Sequence, residues 1–66
     1  MPNTQRIKDR MSTLNLSQAE VAAYLGLAQP TVSQKLSGVR PFFLDEAKAL
    51  ACLLKIEDHE FSNYFF

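Results

Sequence analysis

Apolar side chains recur at helical spacing along most of the chain, and interruptions in that spacing divide it into five segments. In the first, from Thr4 to Leu14, Ile7, Met11 and Leu14 stand at i, i+4 and i+7 and so share one face. Arg6, Lys8 and Arg10 fall mostly on the opposite face, which predicts a basic solvent surface, and Asn3 or Thr4 can cap the start. The second segment, Ser17 to Leu25, opens with Ser17-Gln18-Ala19-Glu20. This is a capping box, in which the Ser hydroxyl and the Glu carboxylate each accept from a backbone N–H that the helix start leaves free. Val21, Ala22 and Leu25 form its apolar stripe, and Gly26 provides the φ > 0 that a helix end commonly requires. Only Leu27 and Ala28 separate Gly26 from a third helical pattern, Gln29 to Leu36, so these two helices must cross steeply. Val32 and Leu36 mark the buried side of the third segment, Pro30 is tolerated in its first turn, and Ser37-Gly38 ends it. After Val39-Arg40-Pro41, the series Leu44, Ala47, Leu50, Ala51 and Leu54 predicts a fourth helix with Asp45 and Glu46 at the positive end of its dipole. Cys52 and Leu53 widen its apolar surface, which predicts burial on more than one side. A short fifth helix is expected near Asp58 to Tyr64, and the fold class is all-α.

Length narrows the picture. Sixty-six residues form one domain with one small core, which needs support beyond ordinary packing or very good helix contacts. Cys52 has no partner for a disulfide, and one cysteine with one histidine, His59, cannot build a structural zinc site. No metal or cofactor is expected. No apolar run approaches the roughly 18 residues of a membrane span, and no signal-peptide pattern opens the sequence, so the expectation is a soluble, cytoplasmic protein without a membrane partner. Asp45 and Glu46 are adjacent carboxylates, but their setting is a helix start, and no nucleophile–base pair or phosphate loop appears. An enzyme is not expected.

Charge carries more information by position than by total. The net charge is zero. Yet residues 1–40 place Arg6, Lys8, Arg10, Lys35 and Arg40 against Asp9 and Glu20, whereas residues 41–66 place Lys48 and Lys55 against Asp45, Glu46, Glu57, Asp58 and Glu60. The basic half comes first, and it contains the third segment. Gln29, Thr31, Ser33, Gln34 and Lys35 there are all hydrogen-bonding side chains, with no acidic residue among them.

The string LSQAEVAAYLGLAQPTVSQKLSG, Leu16 to Gly38, resembles the helix-turn-helix of the phage Cro and repressor family, also called the xenobiotic-response-element family. Gln18 opens the first helix of the motif, Ala22 stands at the close helix crossing, Gly26 lies in the turn and Val32 in the core. With flanking helices the resemblance covers about residues 4–56, with the motif itself at about 17–36, and the aromatic ending is similar to the tail of Cro-like regulators. Three positions depart from the family pattern: Ala28 and Phe43 stand where Ser or Thr usually caps a helix, and Lys35 where an apolar residue is more common.

The resemblance implies a compact, lambda-repressor-like domain of four to five helices that binds operator DNA and regulates transcription, in a phage or prophage setting. The second helix of such a motif lies in the major groove, where a Gln side chain can pair with the N6 and N7 edge of adenine. Gln29 and Gln34 are the corresponding candidates, with Ser33 able to reach either kind of base and Pro30 and Thr31 able to touch a thymine methyl. Gln18 at a helix start, and Lys35, Ser37 and Arg40 at or just after the reading helix, are the phosphate candidates. Lys35 would bury its aliphatic stem and extend its ammonium toward phosphate. One short helix touches few base pairs, so a homodimer on two half-sites is expected, paired partly through Phe61, Tyr64, Phe65 and Phe66. An alternative of another class is a protein-interaction module, an antirepressor or modulator that uses the same fold to bind a partner repressor.

Overall fold

The computed structural model describes residues 2–66. It contains α1 (Thr4–Thr13), α2 (Gln18–Leu25), α3 (Gln29–Leu36), α4 (Leu44–Leu53), one turn of 3-10 helix at Asp58–Glu60, and α5 (Phe61–Phe65). All regular structure among the described residues is helical, and none of these helices is long and apolar enough to cross a membrane.

Local chemistry accounts for most helix boundaries. Asn3 Oδ1 accepts from the Arg6 amide at 3.1 Å and starts α1. The capping box of α2 is closed in both directions, Glu20 N to Ser17 Oγ at 3.1 Å and Ser17 N to Glu20 Oε1 at 3.0 Å. Gly26 then turns left-handed at φ 70°, and Leu27 N returns to Ala22 O at 2.9 Å to close the end of α2. The ends of α1 and α4 use the same device without a glycine: Asn15 and Lys55 both take φ 57°, followed by Leu16 N to Met11 O at 2.8 Å and Ile56 N to Ala51 O at 2.9 Å. Left-handed backbone is easy for Asn and costs Lys of the order of 1 kcal/mol.

The core is built from the positions that periodicity selects. Ile7, Val21, Val32, Leu36, Leu50 and Leu54 are completely enclosed, joined by Met11, Ala22, Ala47, Ala51 and Phe65. α2 packs on both α3 and α4, and α1 packs on α3 and α5, so the third helix rests on a floor made by the first two. Arg10 does not belong to a solvent face. Its Nε donates to Leu54 O at 2.9 Å and its Nη2 to Lys55 O at 3.4 Å, placing a guanidinium against the negative end of α4. Cys52 is exposed rather than part of a second buried side of α4, and Leu53 is only half-buried.

The aromatic ending closes the core instead of projecting from it. Phe65 is 5% exposed, stacks on Phe61 with centroids 4.9 Å apart and meets Phe42 edge-on at 5.9 Å. Tyr64 is half-buried, with the Arg6 guanidinium 4.8 Å from its ring centre, and its carbonyl accepts from the Asn3 amide at 2.8 Å. Of the four tail aromatics expected at a dimer surface, Phe66 alone remains open, at 72% exposure. The physical reason is that α5 folds back onto α1, which carries Phe65 into the core cluster and against Phe42.

This arrangement separates two neighbouring phenylalanines sharply. Phe65→Ala is expected to lower unfolding free energy by about 3–5 kcal/mol, as for a buried aromatic, and Phe66→Ala to change it by less than about 0.5 kcal/mol. Urea titrations of the two variants check this, and a loss at Phe65 as small as that expected at Phe66 would mean that Phe65 is not a core residue.

Candidate nucleic-acid interface

α3 presents two unlike faces. Val32 and Leu36 are fully enclosed against the rest of the bundle. On the opposite side Gln29, Pro30, Ser33 and Gln34 are all exposed, and the exposed Ser37 continues the same surface past the helix end. Since 29, 33 and 37 are separated by four residues, as are 30 and 34, these positions form one continuous strip. Thr31 lies at its margin, half-buried. The strip carries amide and hydroxyl groups and no acidic side chain, so it offers both donors and acceptors without repelling phosphate.

The start of α3 lacks a side-chain cap. Ala28 has no oxygen to offer, and Pro30 in the first turn removes one of the N–H groups that would otherwise need a partner. The end is more heavily fastened. Gln34 O accepts from Val39 N at 2.9 Å, Arg40 N at 3.2 Å and Ser37 Oγ at 3.0 Å, with Gly38 left-handed at φ 84°. Ser37 and Arg40 are thereby held beside this strip and both are exposed. They line a groove of about 480 Å³ that also includes Pro2 and Thr4, so these two phosphate candidates open toward the positive end of α1. Gln18, the remaining one outside α3, is the first residue of α2 and is half-buried.

Lys35 lines the same groove, but its ammonium is engaged within the fold. The residue is 4% exposed, and its Nζ lies 2.6 Å from Glu46 Oε1 and 2.9 Å from Pro41 O. The same ammonium stands 4.6 Å from the Phe43 ring centre and 5.9 Å from that of Phe42. The aliphatic stem is buried as expected of this residue, and the ammonium is paired with Glu46 and Pro41 O rather than turned outward. The head is retained because Glu46 supplies a carboxylate within the fold, and an ammonium left buried without one would be costly.

Glu46 is the residue whose role the sequence did not disclose. Phe43 cannot cap α4 with its side chain, but Glu46 Oε1 accepts from the Phe43 amide at 3.0 Å and completes half of a capping box. The available signal was the spacing of Phe43 and Glu46, which matches a box, although a phenylalanine disguises it. Burial by itself would push the Glu46 carboxyl up, yet the Lys35 ammonium and the Phe43 N–H overcome this and hold it below the usual carboxylate range. Tyr24 and Cys52 lie elsewhere, where the thiol as hydrogen-bond partner, followed by its charge, raises the phenol.

Among the described residues no group of three or more His, Cys, Asp or Glu side chains is placed to hold a metal ion. A sequence model of the helix-turn-helix family matches residues 7–61, from α1 to the first residue of α5. No curated protein and no solved structure matches the chain.

The lowered Glu46 pKa fixes the sign of a pH effect. A carboxyl held lower in the folded than in the unfolded chain adds stability above its unfolded pKa, and that contribution disappears as pH falls through the folded value. Unfolding measured from pH 7 toward pH 2 should therefore show an acid loss in the native protein that is smaller in Glu46→Gln. Identical acid profiles would remove Glu46 from the account.

Proposed function

The chain belongs to the Cro/repressor-like helix-turn-helix DNA-binding family, and from that premise we propose that it is a transcriptional regulator that reads operator DNA with α3 in the major groove. Double-stranded DNA is the ligand of this family. The observation that carries the finer reading is the two-faced α3: Val32 and Leu36 anchor it, and Gln29, Pro30, Ser33 and Gln34 are left together on the open side. Gln29 and Gln34 read adenine edges, Ser33 serves either kind of base, and Pro30 and the margin residue Thr31 offer apolar contact to thymine. Ser37, Arg40 and Gln18 bind phosphate and set the register. With Lys35 turned inward, Arg40 is the cation carried by the loop after α3, so electrostatic attraction is concentrated at few points.

An eight-residue reading helix spans too few base pairs to select one operator, and two copies on adjacent half-sites solve this. Phe66 is the tail aromatic open to such pairing. Occupancy of the site then blocks or redirects transcription.

Selecting bound duplexes from random DNA, followed by titration at several salt concentrations, tests the reading. Gln29→Ala and Gln34→Ala are each expected to cost about 1–3 kcal/mol on the preferred duplex and to relax base preference locally. Arg40→Ala should weaken all duplexes alike and reduce the magnitude of the salt slope by about 0.9. A protein that recognises DNA only after a repressor is added would instead identify the chain as a modulator.

A further inference from the structure

Lys35 is the one charged residue of α3, and its charge faces the interior. Its Nζ donates to Pro41 O at 2.9 Å and to Glu46 Oε1 at 2.6 Å. Pro41 directly follows Arg40, so this ammonium holds the backbone next to the point where the Arg40 side chain departs. On the other side, Val39 N and Arg40 N donate to Gln34 O at 2.9 Å and 3.2 Å. The loop between α3 and α4 is thus tied twice to the reading helix, once through its own amides and once through Lys35. Glu46 extends the second tie to α4 by accepting from Phe43 N at 3.0 Å.

We propose that Lys35 is a positioning residue for DNA binding: it holds Pro41 and the start of α4 against α3, so that Arg40 meets phosphate in register with the Gln29–Gln34 strip. This rests on the reading of α3 as the DNA-reading helix. Lys35 acts through the loop and does not itself touch DNA. An ion pair buried to this degree is costly to open, so the loop is set before DNA arrives and binding does not have to order it. An apolar residue at position 35 would fill the same space but would leave Pro41 O without that donor and the Glu46 carboxylate without its cation.

The test uses the full chain and a duplex selected from random DNA, with affinity measured across a potassium chloride series. Lys35→Met, Arg40→Ala and the double variant are compared, each after its folding has been verified by circular dichroism. Lys35→Met is expected to weaken binding about tenfold and to reduce the magnitude of the salt slope by about 0.9, as Arg40→Ala does. The double variant should then match Arg40→Ala within about twofold, because both changes remove one shared contact. Additive losses, with a slope reduced by about 1.8, would show that Lys35 makes its own phosphate contact and would overturn the proposal. Unchanged affinity in a folded Lys35→Met would overturn it equally. If Lys35→Met does not fold, Glu46→Gln keeps an acceptor for Phe43 N while removing the charge, and it should weaken binding in the same direction; unchanged binding would again overturn the proposal. Failure of the unmodified protein to bind any selected duplex would defeat the DNA reading itself, and this inference with it. Normal binding by the unmodified protein alongside additive variants would defeat the positioning role alone.

Discussion

A lysine ammonium sits inside this 66-residue chain with its very small core, and α3, the loop after it and the start of α4 are arranged around it. Lys35 comes from the helix that carries the exposed polar strip, Glu46 from the helix that follows, and Pro41 from the loop between them. The pair cannot be dismantled by halves: removing one partner strands the other charge away from water, which typically costs about 3–5 kcal/mol. A purely apolar contact would hold the two helices together with less directional constraint. Here the planar carboxylate accepts from both Lys35 Nζ and Phe43 N, so the same oxygen fixes the start of α4 and its distance from α3.

Much of the bundle was visible in the sequence because its helices are written twice, in periodicity and in caps. The Ser17–Glu20 box and Gly26 delimited α2 correctly, and Val32 with Leu36 oriented α3. The predicted ends of α1 and α4 were one residue too long, since Leu14 and Leu54 are caps and Asn15 and Lys55 turn left-handed without the glycine that advertises such an end. Lys55 in particular gives no local hint, and the bonds that accompany its left-handed turn, Ile56 N to Ala51 O and Arg10 Nη2 to the Lys55 carbonyl, involve other residues.

Charge was the least legible property. A count of cations along the chain treats each as available to solvent, but Arg10 is engaged with the carbonyls of Leu54 and Lys55, Arg6 lies over Tyr64, and Lys35 faces Glu46. These partners are between 11 and 58 positions away in sequence, beyond the reach of any helical repeat. The aromatic tail misled for a related reason: Phe61, Tyr64 and Phe65 look surplus when the core is counted from the first four helices, yet the gap they fill exists only after those helices have been assembled. The exposed strip on α3 was legible because it depends on nothing but local helical geometry.

The hydrogen bond from Asn3 N to Tyr64 O joins the first turn of the domain to its last. During vectorial synthesis Asn3 leaves the ribosome long before Tyr64, so α1 cannot complete its lining of the core until residues 61–65 have also emerged. The motif from Ser17 to Leu36 can coil early through its own caps, but the floor beneath it stays incomplete until α5 arrives. A chain cut before Phe61 would consequently carry the whole exposed strip of α3 on a bundle whose first helix has lost one of its two packing partners.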